Sequence, residues 1–335
     1  MLSFVARRVL YMIPTVFLIS VVAFVIISLP PGDYLTTLVA QMKSQGVQVD
    51  KGQLAQLEQR YGFGQPLYVQ YAKWMGAILT RFDFGQSFQF NRPVVDLLAQ
   101  RLPLTIVMAV TTLLVTWLIA FPVGLYSAVR QYSIGDYLAT TVGFLGLAVP
   151  NFLVALVLMY IGYRFFGLSV GGLFSPDYAD AGWNLGKVVD LLSHLWVPVV
   201  ILGAAGTAGL IRILRNNLLD ELRKPYVVAA RARGIPEGKV ILKYPLRIAL
   251  NPFVSTVGWI LPAMVSGEVI VAQVLSLPTT GPLLLTALLS QDMYLAGSLI
   301  LIVSVLTVIG TLLSDIALAW LDPRVRLRSV DSRGG

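Results

Sequence analysis

The sequence predicts an all-α membrane protein with six transmembrane helices. An extracytoplasmic segment separates spans one and two, and a basic cytoplasmic loop joins spans four and five. Three observations predict this. Of 335 residues 56% are hydrophobic and 13% charged, whereas soluble domains average roughly 45–50% and 25%. Apolar runs long enough to cross a bilayer recur along the chain, and mean hydropathy is +0.76. Finally, sixteen of the 25 Lys and Arg fall on one face once six spans are alternated.

In chain order, residues 1–8 form a short N-terminus ending in Arg7-Arg8, and 9–29 form the first span. Its 21 residues reach about 31 Å as a helix, enough for a hydrocarbon core of about 30 Å. Pro30-Pro31-Gly32-Asp33 follows where a cleaved leader would carry small residues, so this span is read as retained. Residues 30–103 are more polar and read as an extracytoplasmic segment. Trp74, Phe82, Phe84, Phe88 and Phe90 there suit interfacial helices. Residues 104–320 carry five further spans, read as Leu104–Tyr126, Leu138–Ile161, Leu195–Leu210, Phe253–Leu275 and Leu295–Leu318. The loop at about 212–250 lies between the fourth and fifth, and 321–335 is a tail. Of the nine Lys and Arg on the opposite face, seven fall in 30–102. Long loops cross regardless of charge, so the short loops decide, and both termini are placed in the cytoplasm. A net charge of +8 then needs no nucleic-acid partner.

The loop Arg223–Arg247 is the most informative stretch. Pro225 can open a helix, because its missing N–H lies among the donors a first turn leaves unpaired. Gly234 can close that helix in the left-handed conformation, and Pro236 prevents its continuation. Pro236-Glu237 can start a second short helix, which Tyr244-Pro245 stops. Nine basic residues lie between Arg212 and Arg247. On charge alone a solvated positive loop explains them well. The Ala229-Ala230 pair and the Gly234 spacing favour a docking element that another protein approaches closely.

Tyr226-Val-Val-Ala-Ala-Arg-Ala-Arg-Gly234, followed by Val240-Ile-Leu-Lys-Tyr-Pro-Leu-Arg247, resembles the cytoplasmic loop of importer-type ABC permeases. Within these the chain is most similar to the dipeptide/oligopeptide permease family. Supporting marks run along nearly the whole chain: Pro31-Gly-Asp33, Asp83-Phe-Gly-Gln-Ser87, Arg101-Leu-Pro-Leu-Thr105, Val149-Pro-Asn-Phe152 and Leu321-Asp-Pro-Arg324. The resemblance implies a permease subunit of a bacterial inner membrane, importing a small peptide or an oligosaccharide-like solute. Implied partners are a second permease subunit, two cytoplasmic ATPase subunits, an extracytoplasmic solute-binding protein and membrane lipid. ATP and Mg would be bound by the ATPase subunits, with no cofactor on this chain. Tyr226, Ala229, Ala230, Arg231, Arg233 and Gly234 would carry ATPase coupling. The sequence departs from the family pattern at Val228, where Glu is frequent, and at Tyr244, where His is frequent. It departs again at Ala272, where peptide permeases commonly carry Glu, and in Pro278-Thr-Thr-Gly281. These changes leave the cargo open.

Glu268 sits in the fifth span, where an acid costs roughly 2.5–3.5 kcal/mol at bilayer centre. It faces either the translocation path or a buried partner. Pro150 and Asn151 interrupt the third span and are path candidates, although packing alone explains them as well. Gly203, Gly206 and Gly209 suit close helix contacts. Asp315 can pair with a loop arginine, and the single His194 has no ligand cluster beside it.

Gly234-Ile-Pro-Glu-Gly238-Lys239-Val240 is not a phosphate loop. It has three residues between the glycines and no hydroxyl after the lysine. No nucleophile–base arrangement and no cysteine occurs, so the chain is read as a non-enzyme. The rival reading is a stand-alone secondary transporter or channel. That would call for inverted repeats and several intramembrane ionisable groups.

Overall fold

The computed structural model describes residues 2–28, 65–167, 171–256 and 269–321. Its helices begin with α1 (Leu2–Ser28), α2 (Leu67–Arg81), α3 (Val94–Val129), α4 (Ile134–Ala148), α5 (Asn151–Phe166) and α6 (Pro176–Ala179). They continue with α7 (Leu185–Leu222), α8 (Pro225–Ala232), α9 (Glu237–Lys243), α10 (Pro245–Ala249) and α11 (Asn251–Ser255). The last are α12 (Val269–Val274), α13 (Thr280–Leu289) and α14 (Met293–Leu321). Two short strands, β1 (Gln86–Ser87) and β2 (Arg92–Pro93), pair antiparallel, a small exception to the all-α expectation.

Among the described residues four helices are long and apolar enough to cross a membrane: α1, α3, α7 and α14. The count becomes five if α4 and α5 form one span broken by a 98° bend. Local chemistry explains the break. Pro150 restricts the residue before it, and Val149 is extended at φ −91°, ψ 124°. Pro150 then caps α5, which starts at Asn151.

The span expected at 195–210 is the centre of a much longer helix, α7, with 38 residues. Polar side chains had shortened the apolar window, but those at its N-terminal end find partners. Asn184 caps the helix by accepting the Lys187 N–H at 2.8 Å. Lys187 Nζ donates to the Ala181 carbonyl at 2.6 Å. Asp190 accepts from the Ser175 hydroxyl and N–H, both at 2.8 Å. His194 Nδ1 lies 2.8 Å from the Asp190 carbonyl, one helical turn before it. Satisfied in this way, these groups do not end the helix. Of the fifth expected span, α11 and α12 mark the ends, and residues 257–268, including Glu268, lie outside the described residues. The ten-residue α13 was not foreseen and is too short to cross a bilayer.

The chain divides into two compact units. The first comprises Met1–Val9, Thr105–Pro278 and Leu306–Gly335. Here α3 and α7 approach closely. A Cβ on Gly203 would stand 3.0 Å from Thr116 Oγ1, and one on Gly124 would stand 3.1 Å from Leu214 Cβ. Gly209 meets nothing within 4 Å, so of the three spaced glycines Gly203 is the one that closeness demands. Leu210, Leu214 and Leu218 of α7 pack with Leu246, Ala249 and Phe253 of α10 and α11. Asp315 pairs with Arg8 at 2.9 Å rather than with a loop arginine. The loop's Arg247 instead donates from Nε to the Leu321 carbonyl at 2.8 Å.

The second unit comprises Leu10–Leu104 and Thr279–Val305. Its core gathers Phe24, Trp74, Ile78, Val94, Leu97, Leu295 and Leu299. Trp74 is only 4% exposed and stacks on Phe24 at 5.5 Å, so it is a core residue, not an interfacial anchor. The motif Asp83–Ser87 shapes a turn. Asp83 Oδ1 accepts the Gly85 N–H at 2.9 Å, with Gly85 at φ +92°. A buried carboxylate, Asp292, then accepts from Ser87 Oγ at 2.6 Å and Gln89 N at 3.1 Å.

Candidate coupling loop and membrane path

The loop after α7 is built from α8 and α9, joined by a tight turn. Pro225 occupies the first turn of α8, where a missing N–H costs nothing. Gly234 adopts φ +74°, a left-handed value that glycine reaches freely, and donates its N–H to the Arg231 carbonyl at 2.9 Å. Pro236 caps α9, with Glu237 in its first turn.

A miniature core holds the two short helices together. Val227 and Ala230 of α8, three positions apart, face Val240 of α9, with Ile235 and Tyr244 packed beside them. Val227 and Val240 are fully buried. Burying a valine contributes about 1.5–3 kcal/mol at a watery surface. Ala230 is 7% exposed and therefore belongs to this core. Tyr226, Val228, Ala229, Arg231, Ala232, Arg233 and Gly234 remain exposed. The six residues singled out from sequence thus separate into one internal packing residue, Ala230, and five at the surface. Only the position of Val240 on the facing helix makes that distinction, and sequence spacing does not contain it.

Charge locks the pair from outside. Arg231 meets Glu237 through two nitrogens, Nε to Oε2 at 3.0 Å and Nη2 to Oε1 at 2.6 Å. The same guanidinium reaches the Leu222 carbonyl at 3.4 Å, tying α8 and α9 to the end of α7. The hydrogen bond from Arg231 holds the Glu237 carboxyl below its ordinary range, and the carboxylate in turn raises Arg231. Tyr226 donates to Glu221. Burial first, and that carboxylate second, push its phenol above the usual range. The result is a two-helix unit with an arginine-bearing surface of small side chains, attached to a continuous helix. The described residues hold no group of three or more His, Cys, Asp or Glu placed to hold a metal ion.

The membrane-path candidates are less complete. Pro150 and Asn151 sit at the bend between α4 and α5, and Glu268 is outside the described residues. A groove of about 730 Å³ runs between α3, α4 and α7, lined mainly by apolar and small residues such as Ile119, Val142, Val200 and Ala208. Such a lining suits lipid or another helix better than a polar solute. Sequence reasoning missed one charged pair in this unit. Arg215 of α7 grips Asp136 of α4, Nε to Oδ1 and Nη2 to Oδ2, each at 2.8 Å.

The described residues thus form a multi-span helical membrane protein with an exposed two-helix unit following its longest helix. Comparison with known families is specific about its kind. Residues 120–327 match the family described as binding-protein-dependent transport system inner membrane component. Residues 1–109 match the N-terminal membrane-component model of the same transport systems. The chain belongs to that family and is a transmembrane permease subunit of an ABC importer. It is similar to the oligopeptide transport system permease protein AppB of Bacillus subtilis, with 35% identity over 97% of this chain and 99% of that protein. The oligopeptide permease OppB of Haemophilus influenzae is 30% identical over 97% of this chain and all of its own length. The glutathione transport system permease protein GsiC of Salmonella typhimurium is 30% identical over 98% of this chain and all of its own length.

Proposed function

We propose that this chain forms half of the path of a peptide importer and that α8–α9 is where ATP hydrolysis on separate subunits is coupled to it. The observation that carries the reading is the loop itself. It is a self-contained two-helix unit with Tyr226, Ala229, Arg231, Arg233 and Gly234 outward and Ala230 within, continuous through Leu222 with a 38-residue helix. An element of this kind transmits a push without deforming. The permease spans the membrane six times, with both termini and α8–α9 in the cytoplasm. Residues 30–103 lie outside, facing a solute-binding protein. A second permease completes the path, and two ATPase subunits bind ATP and Mg. ATP binding favours one of two membrane states, and it can do so only through different contacts in each. Pro150, Asn151 and Glu268 line the moving part of the path.

The cargo follows from relatives named for oligopeptides and glutathione, which favours a peptide over an oligosaccharide. The test is reconstitution of this chain with its neighbouring permease, ATPases and binding protein in vesicles. Import of a peptide that depends on ATP and on the binding protein is the expected result. Uptake by this chain alone would instead establish a secondary transporter or channel.

A further inference from the structure

The proposed docking role leaves open how a push on α8 reaches the bent pair α4–α5. We infer that Asp136 and Arg215 are positioning residues that pin α4 to α7, so that displacement of the docking element is delivered to the break at Pro150. The inference rests on the coupling reading of α8–α9.

Arg215 lies in the last third of α7, two turns before Leu222, where the helix hands over to α8. The helix is clasped there from two directions. Leu214 and Leu218 pack against α10 and α11, the segment that follows the docking pair. Arg215 reaches the N-terminus of α4.

Asp136 is 2% exposed, and its carboxylate joins three pieces of chain. Oδ1 accepts from Arg215 Nε, and Oδ2 accepts from Arg215 Nη2. Oδ2 also accepts the Tyr132 N–H at 2.9 Å, in the turn that links α3 to α4. The backbone N–H of Asp136 is held by Ser133 Oγ at 3.2 Å, the cap of α4. One carboxylate therefore ties the α3–α4 turn and the start of α4 to α7.

Around Gly143 and Gly146 the α4–α7 contact is made by small residues. A Cβ on Gly143 would stand 3.7 Å from Ala208 Cβ, and one on Gly146 would stand 3.7 Å from the Ala204 carbonyl. Small residues without interlocking side chains let two helices slide. A planar fork with two parallel bonds resists both sliding and rotation, which a lysine's point charge does not. Arg212 over the Phe144 ring, at 5.2 Å, adds a weaker contact on the same side. Pro198 interrupts the bonding of α7 well before Arg215. The stretch from there to Leu222 can act as a rod between hinge and docking element. The rod moves, the fork carries α4 with it, and the 98° bend at Pro150 changes.

The test uses the complete transporter in nanodiscs. The chain has no cysteine, so labels go only where placed. Spin labels on Leu118→Cys in α3 and Leu145→Cys in α4, both exposed, report the α3–α4 distance with and without ATP, Mg and vanadate. In the otherwise native chain trapping shifts the distance. In Asp136→Asn and in Arg215→Lys the nucleotide is still trapped, but the shift falls to less than half, and import per ATP falls about tenfold, within the usual range of coupling. A purely structural pair would instead lower assembly, ATPase rate and import together while the remaining complexes keep the full shift. That result overturns the inference, as does a native distance that ATP leaves unchanged. Arg215→Lys keeps the charge, so it provides the same reading if Asp136→Asn assembles poorly. The docking premise is checked separately, by cross-linking Ala229→Cys to the ATPase. If that link forms while both variants keep the full shift, only the positioning role is lost.

Discussion

Replacing Gly234 by valine is expected to leave membrane insertion intact and to uncouple import from ATP hydrolysis. The magnitude follows from the turn. Gly234 holds φ +74°, and a Cβ built there would meet no atom within 4 Å. The cost is therefore in the backbone. An L-residue in the left-handed region costs about 1–2 kcal/mol, and a β-branched one lies at the upper end. That is a factor of about 5–30 in the occupancy of the α8–α9 turn. Asparagine is close to valine in size but tolerates the left-handed region, so Gly234→Asn should remain near the native value, with alanine between them. The assay is solute imported per ATP hydrolysed by the reconstituted importer. Normal coupling in Gly234→Val would refute the reasoning. So would an asparagine variant as impaired as the valine one, because that would trace the loss to bulk at a partner surface instead of to the turn.

Further tests address the charged lock and the second unit. Glu237 has its carboxyl lowered by Arg231, so its contribution is complete above the ordinary glutamate value of 4.5 and is lost as pH falls through the lowered value. Amide exchange across α8 and α9, corrected for intrinsic rates, should stay constant from neutral pH down to about 4.5 and rise as pH falls further. Both side chains are about half exposed, 40% and 52%, so Glu237→Gln should speed exchange at neutral pH only about 1.4- to 5-fold; a larger change would contradict a surface pair. In the second unit, Asp292→Ala strands the Ser87 hydroxyl and the Gln89 and Leu295 N–H groups. Each such orphan costs about 1–3 kcal/mol. The midpoint of thermal unfolding in detergent should fall by several degrees, and an unchanged midpoint would mean that Asp292 does not hold this turn.

What was legible in the sequence was local chemistry. Pro225, Gly234 and Pro236 set the ends of α8 and α9 through backbone rules that need no partner. Pro150 broke the third span for the same reason. The length of α7 was not legible, because Lys187, Asp190 and Arg215 count against a membrane helix until their partners are known. Asp136 lies 79 residues from Arg215, and the Asp292 carboxylate lies 205 residues from Ser87. No spacing rule links residues so far apart. The outward and inward faces of α8 were likewise hidden, because Ala229 and Ala230 are the same side chain until Val240 is placed against one of them.

Since the chain contains no cysteine, single cysteines with a short thiol-reactive cross-linker test the central claim directly. In the assembled importer, Ala229→Cys on the exposed face should link to an ATPase subunit. Ala230→Cys, facing Val240 within the loop core, should not. A band joining the permease to the ATPase from Ala229→Cys alone is the predicted result. No ATPase link from Ala229→Cys, or an equal one from Ala230→Cys, would contradict α8 as the docking element.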